Sequence, residues 1–339
     1  MKIHYTATIW HGGFYQFFSN ALQSLNHEVY FFNEGGSVSQ VNLKKILSRI
    51  PKFQYAANDK FRESVSRDWL ESVEKYKPNL IILEYAPNIL PEYLRRAREL
   101  KIPIFYWMDS PPAGSAAQDI LASLKFADKI FSIDRQWMTI LYPESDFIHL
   151  PLAGDPGTFH PFNLKEQDKK YDLVFVGSFP PQSGDGYLRA EIIASIPDKF
   201  SVFAFGNGAS YWTKHFPILH KRIRKSGILS NTDINEIYNQ SKVVLNIHST
   251  WHSSSLSART YEIALTRAFQ LVDYRSDLDK LFPKNIFATF RSAREVPGLI
   301  SEWLTKPETR VEMSTQAREY VLKHHTWRCR AEEMLRYFP

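Results

Sequence analysis

The sequence is poor in cysteine and lacks a long apolar run. Its 339 residues include a single cysteine, Cys329, which rules out an internal disulfide and is typical of a reducing cytosol. The chain starts MKIHYTATIW, without the apolar core of a signal peptide. It also has no continuous apolar stretch near the roughly 18 residues of a membrane span. We therefore expect a cytoplasmic protein that is neither secreted through a signal peptide nor membrane-spanning.

Several ligand motifs are also missing. No Gly-x-Gly-x-x-Gly follows a predicted strand, which argues against a dinucleotide-dependent dehydrogenase. No closely spaced set of His and Cys has zinc-binding geometry. The one Asp-x-Asp, Asp277-Leu278-Asp279, lies beyond a predicted strand and is typical of a helix face. The sequence therefore predicts no bound metal and no cofactor.

The net charge of +6 is unevenly distributed. Residues 1–155 hold 17 Lys and Arg against 17 Asp and Glu, so residues 156–339 carry the whole excess. A basic second half favours an anionic ligand. Because the excess is small and no nucleic-acid-binding signature is present, we do not expect nucleic acid as a partner.

Short apolar runs alternate with amphipathic segments, six runs in each half of the chain. This alternation is typical of parallel sheets covered by helices on both faces, and two sets predict two Rossmann-like α/β domains. A linker rich in Gly, Pro and charge spans residues 153–170. One predicted strand of the second half is Ile228–Leu229, and the basic group Lys221–Lys225 before it is expected to be a solvated face.

Residues 253–281 (SSSLSARTYEIALTRAFQLVDYRSDLDKL) carry the strongest ligand signal. Ser257 is a candidate helix N-cap, which places Arg259 and Thr260 on the first turn. A helix N-terminus with hydroxyl groups and a guanidinium suits a diphosphate. Glu262 lies about one turn further on, within reach of a diol on the same ligand. A phosphate beside a sugar diol indicates a nucleotide.

The same residues carry a family resemblance. Arg259-Thr260-Tyr261-Glu262 resembles the Arg-Thr-aromatic-Glu run that opens the nucleotide-sugar helix of the CgeB-like spore-maturation glycosyltransferases, which are related to the group 1 transferases. Further matches follow in the expected order: Val176-Gly177-Ser178, Arg189, Ser241–His248 and His325–Arg328. Together with weaker matches near Trp107–Pro111 and Leu150–Pro156, they cover about the last two thirds of the chain.

The resemblance implies a GT-B enzyme, in which two Rossmann-like domains face each other across a cleft. Residues 1–155 would bind the acceptor, residues 156–320 would bind a nucleotide-diphosphate sugar, and a C-terminal helix in residues 321–339 would pack back on the first domain. The implied reaction is metal-independent sugar transfer to an acceptor, which the resemblance suggests is a cell-surface glycan. The chain departs from group 1 transferases at Ser254, where they often have a second glutamate, and at Ala268-Phe269, where they have a glycine.

The expected nucleotide-sugar site draws on strand ends and helix starts of the second half. Arg189 and Arg259 would bind the diphosphate, and Glu262 would bind the ribose. Gly177 would let a backbone N–H approach phosphate. The complete set of expected contacts is Gly177, Ser178, Arg189, Gly206, His248, Ser257, Arg259, Thr260, Tyr261 and Glu262.

The first half is expected to supply the acceptor site and the catalytic group. His11 follows the first predicted strand, and Gly12 and Gly13 beside it are expected to contact the acceptor. Asp109 ends the strand Ile102–Met108. In an inverting enzyme either His11 or Asp109 would take the proton of the acceptor hydroxyl. In a retaining enzyme the leaving phosphate can accept that proton, so neither need be a base.

Two further expectations concern partners. The amphipathic segment Leu43–Phe53 could contact an anionic membrane carrying a lipid-linked acceptor, or it could be an ordinary surface helix. Two alternative functions stay open: a non-catalytic nucleotide-sugar-binding partner subunit, which the missing glutamate at Ser254 would suit, and a GT-B sugar epimerase of the nonhydrolysing type.

Overall fold

A computed structural model describes residues 1–9, 13–48, 54–225 and 227–339. The chain divides into two compact units. Unit 1 comprises Met1–Pro151 and Trp327–Pro339, and unit 2 comprises Leu152–Thr326. None of the helices in the described ranges combines the length and the apolar composition that a membrane span requires.

Unit 1 is built on a parallel sheet. Its described strands follow the order β2-β1-β3-β4-β5-β6. The strands are β1 Lys2–Ala7, β2 Glu28–Asn33, β3 Leu80–Glu84, β4 Ile104–Met108, β5 Lys129–Ser132 and β6 Phe147–His149. The helices of its first segment are α1 Tyr15–Ser24, α2 Val38–Ser48, α3 Gln54–Tyr76, α4 Pro91–Glu99, α5 Ala117–Ser123 and α6 Arg135–Leu141.

Strands β3 and β4 are buried along their whole length, because helices cover both faces of a parallel sheet. The chain runs from β1 to β2 on one side and then from β3 outward on the other. The strand order therefore reverses between β1 and β3, which is where ligands bind in open α/β sheets.

Unit 2 repeats this plan with the order β12-β11-β10-β7-β8-β9, again all parallel among the described strands. The strands are β7 Tyr171–Val176, β8 Val202–Phe205, β9 Ile223–Lys225, β10 Ser241–Asn246, β11 Gln270–Asp273 and β12 Ala288–Phe290. The helices are α7 Gly184–Ser195, α8 Ala209–Trp212, α9 Leu219–Arg222, α10 Asn231–Asn239, α11 Ala258–Leu265, α12 Asp277–Leu281, α13 Val296–Leu304 and α14 Pro307–His324. Here the order reverses between β7 and β10.

Local sequence explains where two helices of unit 2 begin. The Ser183 hydroxyl caps α7 by accepting a hydrogen bond from the Gly186 N–H at 3.1 Å. Ser230 and Asp233 form a reciprocal capping box at the start of α10. Beneath α7 and α13, an apolar core of strand and helix side chains fixes both helices on one face of the sheet. These caps and this core set the position of Arg189 on α7.

The final helix, α15 Trp327–Leu335, belongs to unit 1. A break at His325-Thr326 separates it from α14. The Trp327 side chain is 2% exposed, and its ring centroid lies 5.2 Å from that of Phe14 and 6.0 Å from that of Trp107. Arg330 Nε also donates to the Pro151 carbonyl at 2.8 Å. These contacts make α15 part of the core of unit 1.

The structure corrects two predictions near β9. Ile228–Leu229 is not a strand; the third strand of unit 2 lies earlier, at Ile223–Lys225. The basic group before it is not uniformly solvated, because Arg222 is 4% exposed and donates to the Ile196 carbonyl and to Asp198 at 2.6 and 2.8 Å. A buried arginine is tolerated there because carbonyl and carboxylate oxygens accept its N–H groups.

Candidate functional site

Helix α11 begins after the loop that follows β10 and carries Arg259 and Thr260 in its first turn. Ser257 occupies the N-cap position with extended backbone, as the sequence predicts, but its side chain makes no capping hydrogen bond. Its Oγ is buried and has no partner in the described part of the chain. The predicted N-cap position is therefore correct, but the Ser257 hydroxyl does not cap the helix and its hydrogen-bonding capacity is unsatisfied.

Arg259 and Glu262 lie half-buried on the first turns of α11. Arg259 Nη1 donates to the Tyr238 hydroxyl at 3.1 Å, which holds the guanidinium in place. The Glu262 carboxylate accepts no hydrogen bond from the described residues. Burial raises the pKa of Glu262, and Arg259 opposes that rise. A half-buried carboxylate without a donor, beside a guanidinium, is an arrangement that a polar ligand would complete.

Buried polar side chains form hydrogen bonds with Thr260 in the first turn of α11. Asn246 Nδ2 donates to Thr260 Oγ1 at 3.0 Å, and Gln270 Nε2 donates to the Thr260 carbonyl at 2.9 Å. His248 Nε2 lies 3.3 Å from Thr260 Oγ1, and its Nδ1 lies 2.6 Å from Asp273 Oδ1. Residues at the end of β10, just beyond it and at the start of β11 therefore hold Thr260 in the first turn of α11.

Three residues that the sequence predicts to contact the nucleotide sugar are buried around this helix start. The His248 side chain is 0% exposed with both ring nitrogens engaged, so it has no nitrogen to offer a ligand. Thr260 is fully buried. Tyr261 is also fully buried, with its ring packed against Phe282 and His325. Because α11 is amphipathic, Thr260 and Tyr261 lie on the face opposite Arg259 and Glu262.

Arg189 joins the two strand ends at which the order of the sheet reverses. Its Nη1 donates to the Ser178 carbonyl after β7 at 2.7 Å, and its Nη2 donates to the Ile247 carbonyl after β10 at 3.2 Å. The Ser249 hydroxyl accepts a further hydrogen bond at 3.1 Å. Burial lowers the pKa of Arg189. Within the described part of the chain Nε has no partner, and the other hydrogen bonds tie Arg189 to the loops after β7 and β10.

Two predicted glycines pack backbone against backbone. Gly206 has a φ of +146°, and a Cβ there would lie 2.0 Å from the Gly177 carbonyl oxygen. The Gly177 N–H donates to the Phe205 carbonyl at 2.9 Å, so the structure does not leave it for phosphate as the sequence analysis expects. Ser178, the next residue, is exposed. The two loops can approach this closely because residue 206 is a glycine without a Cβ.

Unit 1 gathers buried carboxyl groups at the carboxyl ends of its strands. Glu84 ends β3 and accepts a hydrogen bond from the Tyr5 hydroxyl. Glu34 follows β2 and accepts hydrogen bonds from the Thr8 hydroxyl and, at 2.8 Å, from the Asn88 N–H. Asp109 follows β4, is 8% exposed, and has an Oδ1 without a partner among the described residues. These acids surround the point where the strand order of unit 1 reverses.

Burial dominates the ionisation of this acid cluster, which comprises Glu34, Glu84 and Asp109. It raises the pKa of Glu34 to about 7 and that of Asp109 to about 7. The pKa of Glu84 is raised well above its usual range by burial and by the neighbouring charge of Asp109. The cluster therefore retains protons near neutral pH, and Asp109 can exchange one there.

Of the other residues predicted in the first half, His11 and Gly12 lie outside the described residues. Gly13 is buried just before α1. The predicted segment Leu43–Phe53 is described only to Ser48, as the end of α2.

No set of three His, Cys, Asp or Glu within the described ranges has an arrangement that could hold a metal ion.

Sequence reasoning missed several residues of these two sites: Glu34, Glu84, Tyr238, Asn246, Gln270 and Asp273. For Glu84 and Asp273 a signal was present, because each acid is the last residue of an apolar strand, and such residues meet at the ligand-binding edge of a parallel sheet. Tyr238 carries no comparable signal. It lies in the last turn of α10, and only the tertiary fold brings its hydroxyl to Arg259.

Comparison with protein families gives one match. Residues 189–336 match the model of a family described as glycosyl transferase-like. The matched residues run from Arg189 through α11 and β11 into α15. Comparison with curated proteins gives no match.

Solved structures resemble the chain over almost its whole length. Sucrose-phosphate synthase from Thermosynechococcus elongatus has a TM-score of 0.68 at 14% identity, covering 99% of this chain and 98% of its own. HepE of Anabaena in complex with UDP-glucose has a TM-score of 0.69 at 11% identity, with coverage of 99% and 98%. AviGT4, a glycosyltransferase involved in avilamycin A biosynthesis, has a TM-score of 0.64 at 13% identity, with coverage of 99% and 96%.

These likenesses and the two parallel sheets confirm the predicted GT-B fold class. The match of residues 189–336 confirms the prediction of an enzyme of the glycosyltransferase class. The finer CgeB-like assignment stays a prediction, and the comparisons favour neither the partner-subunit nor the epimerase alternative.

Proposed function

We propose that the protein transfers a sugar from a nucleotide-diphosphate sugar, bound by unit 2, to an acceptor bound by unit 1. The observation that carries this proposal is the start of α11, where Arg259 is held by Tyr238 and the carboxylate of Glu262 has no hydrogen-bond donor among the described residues. Both groups are half-buried beside the unpartnered Ser257 hydroxyl. They match the two halves of a nucleotide: a diphosphate for the cation and a ribose diol for the carboxylate.

In this proposal Arg259 and the first turn of α11 bind the diphosphate, and Glu262 accepts hydrogen bonds from the ribose. The loops at Gly177-Ser178 and Gly206 line the same strand ends and contact the nucleotide, with Arg189 holding them in position. The UDP-glucose of the HepE complex supports a uridine diphosphate sugar as the first donor to test.

The proposed acceptor site is the acid cluster of unit 1, with His11, Gly12 and Gly13 contributing. In the transfer step the acceptor oxygen forms a bond to the anomeric carbon, and the bond from that carbon to the diphosphate oxygen breaks. Asp109 takes the acceptor proton if the sugar inverts, since its pKa of about 7 suits a base near neutral pH. The leaving diphosphate takes that proton if the configuration is retained.

The remaining parts of the proposal concern conditions and biological role. Arg259 and the N–H groups of the α11 start stabilise the leaving diphosphate, so the reaction needs no metal ion. The acceptor is a growing cell-surface glycan or a lipid-linked precursor. The exposed apolar side chains of α2 support a peripheral contact with the inner face of a membrane, where such an acceptor would lie.

The first experiment measures donor binding by calorimetry, with UDP, GDP, CDP and dTDP, each with magnesium and with EDTA. We expect one diphosphate to bind equally well in both conditions. Because a charge-assisted hydrogen bond contributes about 1.5–3 kcal/mol, Arg259→Ala and Glu262→Ala should each weaken that binding about tenfold or more.

A matched control is the exposed helical pair Arg95 and Glu99 of α4, whose Nη1 and Oε1 atoms lie 3.4 Å apart. Arg95→Ala and Glu99→Ala should leave donor affinity unchanged. Unchanged affinity in both α11 variants would remove the proposed donor site. Binding that EDTA abolishes would contradict metal independence while leaving the site itself in place.

A further inference from the structure

Unit 2 contains a second cavity at the same edge of its sheet, separate from the start of α11. Its volume is about 280 Å³, and it lies beside α7 at the carboxyl ends of β10, β11 and β12. Its floor is apolar and consists of Leu188, Ile192, Ile247 and Phe290. None of the side chains proposed to bind the donor lines it.

The rim of this cavity carries two arginines. Arg275 Nη2 lies 2.9 Å from Asp273 Oδ2, and its Nε is buried without a partner among the described residues. Arg291 is exposed, and its guanidinium carbon lies 3.6 Å from the centroid of the Tyr274 ring. Its side chain makes no hydrogen bond within the described ranges. A buried guanidinium N–H without an acceptor is costly, and an anion would satisfy it.

The acids near the cavity are already engaged. Asp273 accepts hydrogen bonds from the His248 N–H at 2.8 Å and from its ring, in addition to Arg275. Glu295 accepts hydrogen bonds from the Arg291 N–H and the Ser292 hydroxyl at 3.1 and 3.0 Å. The residues that line the cavity therefore comprise two arginines and one aspartate above an apolar floor, and Glu295 beside them does not line it.

We propose that this cavity binds a small organic anion, whose carboxylate or phosphate group is held by Arg275 and Arg291 while its apolar or sugar body rests on the floor. The planar guanidinium of Arg291, stacked on Tyr274, presents its N–H groups in the fork that such oxyanions accept. The volume suits a single ring rather than a nucleotide. The proposal does not depend on the donor site and would hold for any reaction at α11.

The test measures binding to the full-length protein by calorimetry, with benzoate and glucuronate as carboxylates and with phenyl phosphate and glucose 6-phosphate as phosphate esters. Benzyl alcohol is the uncharged control. We expect one anion class to bind and the alcohol not to bind. Arg291→Ala should weaken the anion about tenfold, and Arg291→Lys should retain part of the affinity because it keeps the charge but loses the fork.

Arg224→Ala is the matched control, because Arg224 is also an exposed arginine stacked on an aromatic ring, 3.9 Å from the centroid of Phe203 at the other edge of the sheet. It should not change anion affinity. Arg259→Ala should not change it either. The proposal is overturned if no anion binds, if Arg291→Ala binds as tightly as the natural protein, or if affinity is lost in Arg259→Ala, which would place the anion at the donor site.

Discussion

At the scale of single residues, the fully buried carboxyl group of Glu34 is one source of pH dependence in unit 1. Its side chain is 0% exposed and satisfied by the Thr8 hydroxyl and the Asn88 N–H. Burial raises its pKa from 4.5 to about 7. The unfolded chain releases this proton near pH 4.5, whereas the folded protein keeps it until about pH 7. Between these values the folded state binds more protons, so stability falls as pH rises.

We therefore predict that the free energy of unfolding decreases from pH 4.5 to pH 7, by about 3 kcal/mol from Glu34. Glu34→Gln, which keeps an acceptor oxygen but cannot ionise, should flatten that dependence and be more stable than the natural protein at pH 8. Urea unfolding at a series of pH values measures both. Glu71→Gln, at an exposed position of α3, is the control. An identical pH slope in Glu34→Gln and the natural protein would contradict the assigned pKa.

Single residues are also where the sequence analysis reaches its limit. The Arg259 to Glu262 run correctly places two polar groups at a helix start, because N-terminal residues and their spacing define a first turn. The orientation of neighbouring side chains could not be predicted. Tyr261 lies in this run and His248 in the preceding Ser241–His248 match, yet tertiary packing directs both side chains into the protein. The hydrogen bonds that occupy Arg189 and the Gly177 N–H likewise depend on strand ends far apart in sequence.

At the scale of elements, α2 exposes apolar side chains that a surface helix would normally bury. Val38 is 79% exposed, and Leu43 and Ile46 are each 59% exposed, with Lys45 beside them. Apolar side chains next to a lysine are typical of helices that contact anionic membranes.

We predict that the protein sediments with phosphatidylglycerol vesicles and less with phosphatidylcholine vesicles. The double substitution of Leu43→Ser and Ile46→Ser should weaken sedimentation about tenfold, because full burial of each side chain contributes about 1.5–3 kcal/mol and insertion is partial. Val311→Ser, at a 45% exposed position of α14, is the matched control. Equal sedimentation of the double variant would show that α2 is an ordinary surface helix.

The elements themselves were predictable where apolar runs are long. Strands such as Leu80–Glu84 and Ile104–Met108 are buried on both faces, so their sequences are almost continuously apolar and need no alternation to be recognised. The sequence predicts edge strand β9 too late in the chain. Ile223–Lys225 has one apolar residue followed by two cations, whereas the nearby Ile228–Leu229 is more apolar. Short edge strands gain little from burial, and their composition carries little signal.

At the scale of the whole molecule, the last residues of the chain complete the core of the first unit. Trp327 is buried against Phe14, Phe18 and Trp107, more than 200 residues away in sequence. Replacing a fully buried tryptophan by alanine costs about 3–5 kcal/mol.

We predict that Trp327→Ala destabilises unit 1 and leaves unit 2 largely unaffected. Hydrogen exchange followed by mass spectrometry should show faster exchange in peptides covering β1 and β4, with peptides covering β10 and β11 unchanged. Arg336→Ala, exposed in the same terminal segment, should change neither. Equal acceleration in both units would mean that the two unfold as one cooperative body.

The contact between Gly154 and His325 matters for building chimeric proteins in which one domain is replaced. The Gly154 N–H donates to the His325 carbonyl at 3.1 Å, and Gly154 pairs with Thr326 as an isolated parallel bridge. Unit 2 therefore begins and ends at one place, as an uninterrupted insert within the sequence of unit 1. A unit with adjoining ends can be replaced by another of the same plan through two junctions, without rerouting the chain elsewhere.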